Sequence, residues 1–172
     1  MIKQDIFENQ ARTAYLGIGS NLGDKSKNIN LAKFKIKSEN VRIIKCSSHY
    51  ESLSWPNPKK PKFINIVLEI KTTLEPIELL NFCNKIEKQL GRLRHRKNDP
   101  RTCDIDILDY DHKVFHSKNK KQLILPHPEI CKRNFVLLPL FEISKNWKHP
   151  KSKVNIAELI NSIKIGDIRV VK

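Results

Sequence analysis

Lys62-Phe63-Ile64-Asn65-Ile66-Val67-Leu68-Glu69-Ile70 is the stretch on which the fold turns. Phe63, Asn65, Val67 and Glu69 alternate with Ile64, Ile66, Leu68 and Ile70, the period-2 pattern of a β-strand with one wholly aliphatic face. Backwards from it, ESLSWPNPKKP (51–61) holds three prolines in 11 residues, longer than a hairpin needs, and joins it to a second strand over Arg42–Tyr50. Forwards, Pro76 suits a first helical position, and Ile77, Leu79, Leu80, Cys83, Ile86 and Leu90 carry helical spacing to a stop at Gly91. A second long loop, GRLRHRKNDPR (91–101), leads to the strand TCDIDILDY (102–110). At the start, Ala14–Gly19 is a β-prone run whose glycines, with Gly23, suit a tight strand-to-helix turn. Asp24 then caps a helix over 25–38, with Ile29, Leu31, Ala32, Phe34 and Ile36 as its apolar side. Further on come a small hairpin around 113–125, a Pro-His-Pro turn, a buried helix over Asn134–Ile143 and a short surface helix over Ile156–Ile163. The order β-α-β-β-α-β predicts an α+β fold: a ferredoxin-like antiparallel sheet with helices on one face, then a C-terminal extension. Spacing leaves open whether the two long loops share a side of the sheet.

The length suits one domain over 1–172, with 1–13 as an overhang and the motifs between about 14 and 143. No apolar run approaches the ~18 residues of a membrane span. The first 13 residues lack the apolar core of a signal peptide, and the four cysteines never pair as C-x-x-C, so a cytoplasmic protein is expected. Lys plus Arg is 33 against 18 acids, a net charge of +15 that would attract polyanions. Yet 25 of those cations are lysines, beside 22 isoleucines and 15 asparagines, a bias that A/T-rich coding leaves without any binding function. The arginines differ. Four of the eight (Arg92, Arg94, Arg96, Arg101) fall within ten residues.

Directly after that cluster stands Asp104-Ile105-Asp106. On a strand the two acids share one face, while Cys103, Ile105 and Ile107 face the core. Carboxylates about 5–7 Å apart repel by roughly 2–3 kcal/mol at an effective dielectric near 20. A divalent cation between them relieves this, and hard oxygen ligands favour Mg2+ shared with substrate phosphates. Arginine stays charged and presents a fork that matches phosphate oxygens. Together these are the parts of phosphoryl transfer. The glycines at 17, 19 and 23 fit neither a dinucleotide fingerprint nor a Walker loop. His127, stiffened between Pro126 and Pro128, has Arg133 and Phe135 close behind it.

Seven motifs in a consistent order resemble the 6-hydroxymethyl-7,8-dihydropterin pyrophosphokinase family. They are A-Y-L-G-I-G-S-N-L-G (14–23), S-S-x-Y-E-S (47–52), F-I-N (63–65), I-E-x-x-L-G-R (86–92), P-R-T-x-D-I-D (100–106), L-P-H-P (125–128) and R-x-F-V-L-x-P-L-F-E-I (133–143). The resemblance implies transfer of the β,γ-diphosphoryl group of ATP to the hydroxymethyl oxygen of the dihydropterin, releasing AMP, in folate biosynthesis. It implies a monomer with these two small-molecule substrates and no nucleic acid or membrane partner. Asp104 and Asp106 would bind two Mg2+ ions. Arg92 and Arg101 would stabilise the transferring group from a mobile loop that closes over it. Arg94, Glu87, Ile107, His127 and Arg133 would hold or orient ATP. Phe63 and Phe135 would sandwich the pterin ring, Asn65 would bond its edge, and Ser52 and Leu53 would contribute from the proline-rich loop. Members often carry a lid tryptophan before P-R-T; this chain has His95–Asp99 there, which leaves Trp55 as a substitute, and it has Asn134 where a glycine is common.

Two other classes fit less well. An RNA-binding module on this fold would display aromatics in an R-G-F-x-F-V-like pattern, which the chain lacks. A metal-dependent phosphodiesterase would need more His and Asp ligands.

Overall fold

The computed structural model describes residues 7, 10–54, 57–92, 99–117, 123–164 and 166–171. Its centre is β4 (Phe63–Thr72), which pairs antiparallel with the whole of β1 (Arg12–Ser20), from Arg12 opposite Thr72 to Ser20 opposite Ile64. β5 (Asp104–Tyr110) lies antiparallel on the other side of β1. On the far side of β4, β2 (Val41–Cys46) and β3 (His49–Ser52) follow one another along the same edge, and β8 (Ile168–Val171) pairs outside β3. β6 (Phe115–His116) and β7 (Ile124–Leu125) make the separate small hairpin expected near 113–125.

The single strand expected over Arg42–Tyr50 is two strands. At the break, the Ser47 N–H donates to the Val67 carbonyl at 3.0 Å, and the Ser47 hydroxyl accepts from the Val67 N–H at 2.9 Å. A side chain thus replaces a ladder partner. The next residue turns outward, its N–H and hydroxyl both donating to the Glu142 carboxylate.

Local sequence explains the first two helices. α1 (Lys25–Ile36) starts where the Asp24 carboxylate accepts the Lys27 N–H at 2.9 Å. It buries Ile29, Ala32 and Ile36, but Leu31 and Phe34 point to solvent, Phe34 with 73% exposed. α2 (Pro76–Gln89) opens on Pro76, with the Glu78 carboxylate accepting the Glu75 N–H at 2.9 Å. It ends at Gly91, whose φ of 79° is the left-handed conformation that favours glycine. Both helices cover Ile64, Ile66, Leu68 and Ile70 and their neighbours on β1 and β5.

The expectation of helices on one face does not hold. α3 (Asn134–Ile143) and α4 (Ile156–Ser162) pack on the opposite face with Tyr15, Val67, Leu108 and Trp147, forming a second core. The C-terminal region packs into the same fold, with Trp147, Ile156 and Leu159 buried in that core and β8 extending the sheet. The cause lies on the sheet's second face, where Tyr15, Val67 and Leu108 form an apolar patch that must be covered. A register shift opposite Tyr15 and Leu16 lets both Leu108 and Asp109 face the second layer. Among the described residues, no helix is long and apolar enough to cross a membrane.

Candidate active site

The two long connections meet at the end of the sheet where β5 begins and β1 and β3 end. Asn21, just past β1 and 4% exposed, ties them together. Its side-chain NH2 donates to the Pro61 carbonyl at 3.2 Å and the Ser54 hydroxyl at 3.4 Å, while its oxygen accepts the Arg101 N–H at 2.8 Å. Lys60 and Asp99, one on each loop, lie 3.7 Å apart. The question that spacing left open is thereby answered: the loops share a side. Asn21 belongs to the glycine-rich run that reads as a turn, so its motif was visible and its bridging was not.

Asp104 and Asp106 stand on one face of β5, with Cys103, Ile105 and Ile107 buried in the first core as alternation requires. Neither acid faces its neighbour bare. Asp104 is 2.6 Å from Arg92 Nη1 and 2.6 Å from Arg101 Nη2; Asp106 Oδ2 is 3.0 Å from Arg133 Nη1 and 3.8 Å from His127 Nε2. Arginines therefore relieve the repulsion expected between the acids. Arg92 and Arg101, at opposite ends of the arginine loop, already reach Asp104.

Glu87, 3% exposed on α2, takes the Ile105 N–H on Oε1 at 2.7 Å, and the same oxygen meets Arg92 Nη1. Burial works against the Arg92 charge, but Asp104 and Glu87 outweigh it and favour the guanidinium. The Thr102 hydroxyl donates to the Leu90 carbonyl at 2.7 Å and closes the base of the loop. His127 Nδ1 accepts the Glu129 N–H at 3.1 Å, which leaves Nε2 to carry the ring proton towards Asp106. Burial holds the His127 pKa below its usual value, against the pull of Asp106.

Beside this charged half lies a second, less charged one. Asn65, buried on β4, donates to the Ser52 hydroxyl at 2.9 Å. A Cβ on Gly19 would sit 3.0 Å from Asn65 Oδ1 and 3.4 Å from the Phe63 ring, so glycine keeps the floor of this half open. That corrects the turn reading of Gly17 and Gly19: both lie within β1, and only Gly23, with φ 65°, makes the turn. The Arg101 guanidinium lies 5.2 Å from the Phe63 ring centroid and that of Arg133 lies 5.9 Å from the Phe135 centroid, linking each aromatic to an arginine that holds an acid. Leu53, next in the chain after Ser52, is exposed. The Ile107 side chain is in the core, which leaves only its backbone for a nucleotide. Arg94 and Trp55 lie outside the described residues.

Three arginines ring the paired carboxylates next to an aromatic and amide cluster, an arrangement with the chemistry to hold phosphate oxygens. The sequence profile of the 7,8-dihydro-6-hydroxymethylpterin-pyrophosphokinase family matches residues 15–145, and the chain belongs to that family. It is 44% identical over 138 residues to the 2-amino-4-hydroxy-6-hydroxymethyldihydropteridine pyrophosphokinase of Aquifex aeolicus, covering 80% of this chain and 84% of that one. It is 34% identical to the enzyme of that name from Haemophilus influenzae, over 93% of this chain and 97% of the other. The folic acid synthesis protein fol1 of Pneumocystis carinii is 36% identical over 98% of this chain, which spans only 22% of that longer relative. A Plasmodium falciparum HPPK-DHPS crystal structure shares the fold, with a TM-score of 0.70 at 15% identity over 88% of this chain and 43% of that one.

Proposed function

We propose that this chain transfers the β,γ-diphosphoryl group of ATP to the hydroxymethyl oxygen of 6-hydroxymethyl-7,8-dihydropterin, releasing AMP, in the cytoplasm. The observation that carries this reading is the convergence of Arg92, Arg101 and Arg133 on Asp104 and Asp106, beside the pocket of Phe63, Asn65 and Ser52. The strand order β5-β1-β4, with β2 and β3 along the far edge of β4, supports the split βαβ, ferredoxin-like reading of the first core.

Arginine forks would neutralise the phosphates, and Arg101 has a donor to spare: its Nε is buried with no hydrogen-bond partner among the described residues. His127 would present Nε2–H to the nucleotide. Phe63 and Phe135 would stack on the pterin, while Asn65, steadied by Ser52, reads its edge; Leu53 lies alongside. Arg94 and Trp55 would add to the nucleotide and pterin sides from the two loops.

The donor chemistry also fits Mg2+. Asp104 and Asp106 are hard oxygen ligands already held by cations, and among the described residues no three His, Cys, Asp or Glu side chains gather to bind a metal alone. Two Mg2+ ions arriving with ATP would be held by these two acids and supply charge neutralisation at the phosphates. The test incubates the protein with ATP, Mg2+ and the dihydropterin and follows AMP. AMP formed only with the dihydropterin present supports the reading. ADP instead, or no dependence on the pterin, defeats it.

A further inference from the structure

The family match ends at residue 145, yet the chain beyond it returns to the pocket. After α4, the backbone passes the start of α3: a Cβ on Gly166 would lie 3.5 Å from Asn134 Nδ2, one residue before Phe135. It then enters β8, where Ile168 stands opposite Ser52, Arg169 opposite Glu51 and Val171 opposite His49. Arg169 donates to Glu51 Oε1 from Nε at 3.0 Å and lies 2.8 Å from it through Nη2. The same carboxylate oxygen takes Lys62 Nζ at 3.2 Å, directly before Phe63. Six residues thus run from beside Asn134, at the start of α3, to the edge of the strand that carries Ser52.

We infer that residues 166–171 are a strap that positions the second substrate's pocket, holding the Ser52 strand in place beside the start of α3. The inference rests on the pterin reading of that pocket. The ion pair to Glu51 is solvent-exposed and adds little. The force comes from the strand ladder, which fixes the backbone of Ser52 and so the hydroxyl on which Asn65 leans. Without β8, β3 would be an open edge four residues long, held on one side only.

Two full-length variants test this, Arg169→Pro and Val170→Pro. Prolines at successive positions of an edge strand remove one N–H that points into the ladder and one that points to solvent. Each variant is titrated with a non-hydrolysable ATP analogue, then with 6-hydroxymethyl-7,8-dihydropterin on top of it. One proline should weaken pterin binding by about tenfold or more, as a misplaced wall does, with analogue binding unchanged. The other should bind both ligands as the parent does. Unchanged pterin binding in both, or parallel loss of both ligands, overturns the strap. Should a proline unfold the chain, hydrogen exchange on the unaltered protein decides. Amides of 49–52 and 168–171 should slow when pterin joins the nucleotide complex, and no added protection overturns the inference. Phe63→Ala in the same titration separates the two readings. If it also binds pterin normally, the pterin pocket itself is wrong; if it alone fails, only the strap falls.

Discussion

The Glu87 carboxylate on α2 accepts the backbone N–H of Ile105, 2.7 Å away on β5, midway between the two acids of the site. A helix thereby fixes the height of the strand that carries Asp104 and Asp106. Replacing Glu87 by alanine leaves a buried N–H without an acceptor, at a cost of about 1–3 kcal/mol. Glu87→Gln keeps an acceptor and should retain most of the stability, while the charge that faces Arg92 is lost. Urea unfolding of the two variants checks this. Equal stability of Ala and Gln would show that the Ile105 bond does not hold the strand.

Arg101 joins both halves of the pocket, 2.6 Å from Asp104 through Nη2 and 5.2 Å from the Phe63 centroid. It should act mainly on the charge that develops during transfer. Arg101→Ala is expected to lower single-turnover rates by about 10²-fold or more, the scale on which loss of a charge-stabilising donor is felt. Affinity for a non-hydrolysable ATP analogue should change far less. Lysine should rescue poorly, since it has no fork to span two oxygens. Normal chemistry with poor nucleotide binding would reduce Arg101 to an anchor.

Gly19 carries a prediction that composition could not suggest. An added Cβ must displace Asn65 Oδ1 at 3.0 Å and crowd the Phe63 ring at 3.4 Å. Because glycine within a strand costs roughly 0.5–1 kcal/mol relative to alanine, Gly19→Ala should keep its melting temperature. Pterin affinity should drop by about tenfold, with ATP affinity unaltered. Calorimetry with each ligand tests the split, and an unchanged pterin affinity would remove Gly19 from the pocket.

Asp109 is wholly buried away from the site, its Oδ2 accepting Trp147 Nε1 at 2.8 Å and facing His112 Nδ1 at 3.1 Å. Burial raises its pKa above the usual carboxylate range, against the pull of Trp147 and His112. The folded state therefore binds this proton more tightly than the unfolded chain. Its contribution is full below the unfolded pKa of about 4 and fades as pH rises through the folded value. Asp109→Asn, which keeps an acceptor for Trp147, should stabilise the protein at pH 7. Its advantage should shrink as pH falls towards about 4. A constant difference across denaturation curves from pH 4 to 8 would contradict the raised value.

Neighbours along the chain control much of this fold. Alternation in Phe63–Ile70 set a strand and its faces, Asp24 and Pro76 set helix starts, and the D-I-D spacing put two acids on one side with Ile105 and Ile107 inside. The seven ordered motifs also marked the family. Contacts between residues far apart in sequence settle the rest. Asn21 bonds to Arg101 across 80 positions to bring the loops together, and Glu51 meets Arg169 across 118. Tyr15, Val67 and Leu108, far apart in sequence, meet on the sheet's second face and require another helical layer, which α3 and α4 supply. The Ile168–Val171 strand is four residues long and lacks a clear alternating pattern, so its place was set by the open edge of β3. Charge worked the same way. The linear order puts Arg92 and Arg101 near Asp104, but only folding brings both within 2.6 Å, where Coulomb attraction replaces the repulsion expected from the two acids alone.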